Sequence, residues 1–166
     1  MPEPSPPREP VAVARAGVPD AALAAALLHA FHAEWGDECP GEAGDAARLA
    51  RLLGARTTVV LLAEVAGRPA GVAVLFLRDS TWTDAPVGTL EELYVTPDLR
   101  GRGTGTALLT ALLQELAGAG VTEVDVPVDE GDDDARRFYE RLGFTNTHED
   151  GERMLYYART GGCAPG

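Results

Sequence analysis

The run Arg100-Gly101-Arg102-Gly103-Thr104-Gly105-Thr106 places three glycines within five residues, between a strand-like stretch and a helix-like one. A helix that begins on such a run leaves its first N–H groups bare and gathers the positive end of its dipole there. Glycine removes the Cβ atoms that would keep a bulky anion off the main chain. The chemistry implied is the binding of a phosphate-bearing cofactor. Arg100 and Arg102 add positive charge in a chain whose balance is the reverse, with 26 acidic and 14 basic residues and a net charge of −12. That balance argues against nucleic acid as a partner, since little would neutralise its phosphates. It suits a small cationic substrate such as an amine drawn in by the field, or it serves solubility alone.

Two familiar phosphate motifs do not fit. A Walker A loop requires Lys-Ser/Thr after its last glycine, whereas Gly105 is followed by Thr106-Ala107. A dinucleotide fingerprint requires Gly-x-Gly-x-x-Gly directly off a strand. Here Thr106 stands at the third position and Thr96 to Leu99 intervene, although Asp125 lies near the expected acidic position. No Cys/His set has metal-ligand spacing, so no metal is expected.

The elements that must position the loop follow from pattern and punctuation. A strand is expected over 11–16, helices over 21–35 and 45–53 separated by a Gly/Pro loop at 36–44, and a hairpin of strands over 57–65 and 69–78. A polar loop with Trp82 precedes a strand over 90–95. The Gly loop opens a helix through 117, then a strand is expected over 121–128, a helix over 132–142, and closing strands over 144–147 and 154–159. The order implies one domain over 11–160, with a proline-rich lead-in over 1–10 expected to be disordered and a flexible tail over 161–166. No apolar run approaches the roughly 18 residues that span a bilayer, and the start does not read as a signal peptide. Cys39 and Cys163 lie far apart, so no disulfide framework is expected and a reducing cytosol is assumed.

Two stretches together carry a family resemblance. Leu93-Tyr-Val-Thr-Pro-Asp-Leu-Arg-Gly-Arg-Gly-Thr-Gly105, with Ala135-Arg-Arg-Phe-Tyr-Glu-Arg-Leu-Gly-Phe144 downstream, closely resembles the GCN5-related N-acetyltransferase (GNAT) family. Arg100, Gly103 and Gly105 meet the family's pyrophosphate motif, and Phe138, Tyr139, Gly143 and Phe144 meet its later one. The resemblance implies an α/β (α+β) fold: a mixed, mostly antiparallel six- to seven-stranded sheet flanked by helices, with splayed central strands. It implies an enzyme that moves an acetyl group from acetyl-CoA to a primary amine by direct attack. Leu-Glu-Glu-Leu-Tyr-Val95 most resembles the polyamine and thialysine branch. A protein or peptide N-acetyltransferase and a non-catalytic acyl-CoA sensor are the competing readings. A homodimer is left open, since dimers are common in the family.

The resemblance also assigns roles. Arg100, Gly101, Arg102, Gly103, Thr104, Gly105 and Thr106 hold the pyrophosphate, and Leu93, Tyr94 and Val95 line the pantetheine arm in the gap between strands 90–95 and 121–128. Pro127, which cannot donate to a ladder, is read either as a consequence of that gap or as an edge or bulge residue. Asp132 stands where the family often has Asn; it can accept a hydrogen bond but not donate an amide proton. Val95 N–H is a candidate oxyanion donor. Tyr139 is the candidate acid for the leaving thiol, with Phe138 expected to face the core. A phenol near pKa 10 protonating a thiolate near 8.5 is uphill by roughly 2 kcal/mol. Glu91 and Glu92 point to opposite faces of a strand, so only one can face the cleft; Glu91 aligns better as the base, while Glu92 shares a face with Tyr94. The alternative is that both are surface or supporting carboxylates and a water chain carries the proton. Phe31, Glu34, Trp35 and Trp82 are expected to meet substrate. His32 reads as a structural or surface histidine rather than a catalyst.

Overall fold

The computed structural model describes residues 9–36 and 42–158. Most of the expected lead-in, the loop residues 37–41 with Asp37, Glu38 and Cys39, and the tail with Cys163 lie outside them. The main chain divides between Val126 and Pro127 into two compact units.

The first unit is built on one five-stranded sheet in the order β1 (Val11–Arg15), β2 (Thr58–Val65), β3 (Arg68–Arg78), β4 (Val87–Val95), β5 (Glu123–Asp125). The first four strands pair antiparallel and β5 joins β4 in parallel. The β2–β3 hairpin turns on Ala66 and Gly67, with φ of 52° and 73°. Two positive φ values in a two-residue loop match the right-handed twist of the strands it joins. Arg68, expected between the strands, is therefore the first residue of β3 and pairs with Val65.

Strands β2 and β3 are apolar on both faces rather than alternating, and both are buried along most of their length. Helices on each side of the sheet account for this. Helices α1 (Ala21–Trp35) and α2 (Glu42–Leu53) cover the face carrying Val60, Leu62, Val72, Val74 and Tyr94. Helix α3 (Thr104–Gly118) lies across the other face and buries Leu108, Leu109, Leu112 and Leu116. Gly71 on β3 is where α3 and β4 press closest. A Cβ built there would lie 2.5 Å from the Tyr94 carbonyl oxygen and 3.1 Å from Leu108 Cδ1. No helix among the described residues is long and apolar enough to cross a membrane.

The second unit carries α4 (Asp133–Arg141). The Asp132 carboxylate accepts from Ala135 N–H at 3.0 Å, and Asp133 and Asp134 occupy the first turn, where the helix dipole favours negative charge. The strands expected over 144–147 and 154–159 are not formed among the described residues; a single bridge joins Thr147 to Arg153 around the turn. Hence five strands stand among the described residues, where six to seven were expected. Met154 to Tyr157 have strand composition but stand exposed, and composition does not make a strand without a ladder partner.

Candidate active site

The site is organised by the two halves of β4. Leu75 faces Leu90, while Val74 faces Glu92, so Glu91 is the extra residue of a β-bulge. Beyond the bulge, Glu92 and Tyr94 share the face covered by α1. Glu92 Oε1 lies 3.6 Å from His32 Nε2, and the Tyr94 and Phe31 rings are 5.4 Å apart. Glu91 is exposed.

Strand β5 pairs only with Val87–Thr89. From Leu90 to Val95, no described strand pairs with β4 on that side. Thr96 N–H donates to the Ala70 carbonyl at 2.9 Å, so alternation turns the main-chain groups of Leu93 and Val95 away from β3 toward this free edge. The central strands therefore do part, as the resemblance implies. β5 is three residues long rather than eight, and Pro127 falls beyond its end, where it interrupts no ladder.

At the end of β4 opens a cleft of about 350 Å³, lined by Phe31, Glu34, Trp35, Leu93, Tyr94, Val95 and Arg100. Three side chains interlock in it. Tyr94 Oη donates to Glu34 Oε1 at 2.8 Å. Arg100 Nη2 donates to Glu34 Oε2 at 2.7 Å, and Arg100 Nε donates to the Val95 carbonyl at 2.9 Å. The guanidinium carbon also lies 5.6 Å from the centre of the Tyr94 ring. The Arg100 hydrogen bond, with that of Tyr94, holds the Glu34 carboxyl below its ordinary range. Burial, then the Glu34 carboxylate, pushes the Tyr94 phenol up to about 12, so it stays a donor at neutral pH.

The glycine loop follows directly. Gly101 and Gly103 have φ of 71° and 94°, left-handed values that glycine adopts without strain. Gly103 caps α3 without a side-chain hydrogen bond, and the first turn carries no acidic residue. The N–H groups of Thr104, Gly105 and Thr106 thus meet no side-chain cap, and a Cβ at Gly101 would meet only open space. This amide-lined start suits a diphosphate. Arg102 is exposed beside it. Thr104 differs from the rest: its side chain is buried and its hydroxyl lies 3.5 Å from the Leu99 carbonyl, so only its main chain is available.

Of the residues singled out from sequence, the fold brings Phe31, Glu34, Trp35, Leu93, Tyr94, Val95 and Arg100 together around one cleft. Trp82 does not join them; it stands almost fully exposed in a turn held by Ser80. Asp132 and Tyr139 belong to the second unit. Tyr139 is half-buried there between the rings of Phe138 and Phe144, at 5.2 and 5.5 Å. Phe138 is half-buried as well, so adjacency on α4 does not separate an inward from an outward ring. The contacts of Glu34 to Tyr94 and Arg100 were not legible beforehand, because they join residues 60 and 66 positions apart.

The chain belongs to the acetyltransferase (GNAT) family, whose pattern it matches over residues 21–144. A candidate acetyltransferase from Arthrobacter sp. FB24 is 45% identical to it, with a TM-score of 0.83 over 90% of this chain and 95% of that one. An aminoglycoside acetyltransferase from an uncultured soil metagenomic sample, solved with sisomicin, shares the fold at 22% identity, with a TM-score of 0.74 over 90% and 97% of the two chains. Among curated relatives, an L-2,4-diaminobutyric acid acetyltransferase of Nocardia farcinica is 42% identical over 43% of this chain and 35% of its own length. A mycothiol acetyltransferase of Thermobispora bispora is 44% identical over 37% of this chain and 21% of its own length. The chain thus spans only about a fifth to a third of the length of these curated relatives.

Proposed function

We propose that this protein transfers an acetyl group from acetyl-CoA to a primary amine on a small cationic molecule, in the cytosol. The observation that carries the reading is the cleft itself, which joins the free strand edge at Leu93 and Val95 to an acidic side chain between aromatic walls, with the glycine loop following directly from Arg100 at its rim. Acetyl-CoA supplies an acyl group already activated as a thioester. The N–H groups at the start of α3, with Arg100 and Arg102, hold the diphosphate, and the main chain of Leu93 and Val95 holds the arm along the free edge of β4. Glu34, Phe31 and Trp35 receive the acceptor's ammonium by charge and by cation–π contact. An ammonium near pKa 10 must lose a proton before it can attack. We assign that proton to Glu92 rather than Glu91, because Glu92 lies on the face of β4 that carries Tyr94 into the cleft. The Val95 N–H steadies the developing oxyanion. The family resemblance alone gives Tyr139 and Asp132 their roles: the first would protonate the departing thiol and the second would accept a hydrogen bond from the cofactor.

The test is release of CoA thiol from acetyl-CoA over a panel of polyamines, thialysine, diamino acids and aminoglycosides. Turnover with at least one small amine is expected. Turnover only with peptide or protein amines would move the acceptor class. Binding of CoA with no turnover on either kind of amine would make the protein a sensor.

A further inference from the structure

Arg100 stands between two anionic claims. In this structure its side chain is folded back along the end of β4, with Nη2 on Glu34 Oε2 at 2.7 Å and Nε on the Val95 carbonyl at 2.9 Å. In sequence it lies three residues before Gly103, the cap of α3, at the entrance to the amide-lined loop. The arginine that would help hold a diphosphate is thus engaged by a carboxylate of the cleft, and it occupies one main-chain acceptor on the free edge of β4. The ion pair is half-exposed on both sides, with 48% and 33% of the two side chains accessible. Such pairs contribute little and are readily exchanged. Glu34 does not depend on Arg100 alone, because its other oxygen is held by the buried Tyr94 hydroxyl at 2.8 Å.

We propose that the Glu34–Arg100 pair is an exchange switch: the cofactor's diphosphate draws Arg100 off Glu34, and the freed carboxylate then receives the acceptor's ammonium. While Arg100 sits on Glu34, the carboxylate is neutralised and a cation entering the cleft gains little. Once Arg100 turns to the diphosphate, Glu34 remains pinned by Tyr94 with one oxygen open between Phe31 and Trp35. Cofactor and amine then bind with positive coupling, and the coupling is reciprocal by necessity. The cofactor thereby builds the amine site. This inference rests on the proposed function, which it deepens by assigning Glu34 and Arg100 the coupling between the two ligands.

Calorimetric titration of CoA into the wild type and Glu34→Gln, with no amine present, provides the first test. The substituted amide can still accept from Tyr94 but no longer competes for Arg100 as an anion. CoA is expected to bind Glu34→Gln about two- to fivefold tighter, the range of a half-exposed ion pair. Equal or weaker binding overturns the switch. Absence of CoA binding to the wild type would instead overturn the proposed function itself. The Arg100 Nε–H resonance, assigned by its loss in Arg100→Lys, is expected to move on CoA addition; a resonance unmoved by saturating CoA also overturns it. Spermidine titrated into free and CoA-saturated protein supplies the third measurement. It is expected to bind several-fold tighter to the saturated wild type, with the gain lost in Glu34→Gln, and a gain that survives that substitution refutes the role of Glu34.

Discussion

The two halves of β4 share one strand and differ in almost everything else. Val87–Thr89 is paired on both sides, to β3 and to β5, and Val87 and Gly88 are buried. Beyond Leu90 the strand keeps its β3 ladder, loses the other, and carries exposed or half-exposed Glu91, Glu92, Leu93 and Val95 around the buried Tyr94. The paired half is scaffold, with a strand on either side. The free half has main-chain donors and acceptors left over, and these a ligand arm can use. The bulge at Glu91 lies where one regime passes to the other, a common place for such a kink.

Substitutions separate the two halves. Against the paired half, Leu75 of β3 is fully buried, and its methyls lie 3.1 and 3.3 Å from where a Cβ on Gly88 would stand. Leu75→Ala is expected to cost roughly 2–5 kcal/mol, read as a lower urea midpoint. In the free half the loss should appear in chemistry instead. Glu92→Gln is expected to lower kcat by about 10²-fold or more with stability little changed, while Glu91→Gln changes kcat by less than about threefold. The reverse ranking would return the base to Glu91.

Gly71→Ala tests whether the free edge depends on the ladder behind it, because the added Cβ would meet the Tyr94 carbonyl oxygen at 2.5 Å. A loss of about 1–3 kcal/mol in stability is expected, together with weaker CoA binding as the edge shifts. An unchanged CoA affinity would separate edge from ladder. The smallest effect belongs to Tyr94→Phe. The Tyr94 phenol is raised to about 12 in the folded protein, above an unfolded value near 10. The proton is therefore held more tightly in the folded state. The associated stability is fully present below about pH 10 and lost as pH rises toward about 12. Ultraviolet titration should show one late phenol that disappears in Tyr94→Phe, and that variant's stability should fall less between pH 10 and 12. A tyrosine spectrum with no late component would remove Tyr94 from the Glu34 network.

Much of the sheet and site could be read from residue order. Three glycines in five residues, two β-branched runs about a tight turn, and Phe-Tyr before Gly-Phe are local patterns, and local backbone preferences respond to them directly. They were enough to mark β1 to β4, α1 and α3, the glycine loop between β4 and α3, and, with the family resemblance, seven residues that the fold gathers into one cleft. They failed where a structure depends on what lies opposite. Met154–Tyr157 has the composition of a strand, but among the described residues pairing reaches no further than the Thr147–Arg153 bridge and the Met154 N–H to the Asn146 carbonyl. Strand β5 stops at Asp125 because pairing stops there, not at the proline.

The sequence by itself determined the family, the amide-rich start of α3 and the candidate residues, because each of these rests on neighbours a few positions apart. Only the tertiary structure decided that Glu91 is a bulge residue, that Glu92 lies beside His32, and that Glu34 reaches Tyr94 and Arg100 across more than half a hundred positions. Those facts follow from register and from the packing of α1 on the sheet. Hydrogen bonds and ion pairs depend on distance in space, which residue order does not specify until the chain has closed on itself.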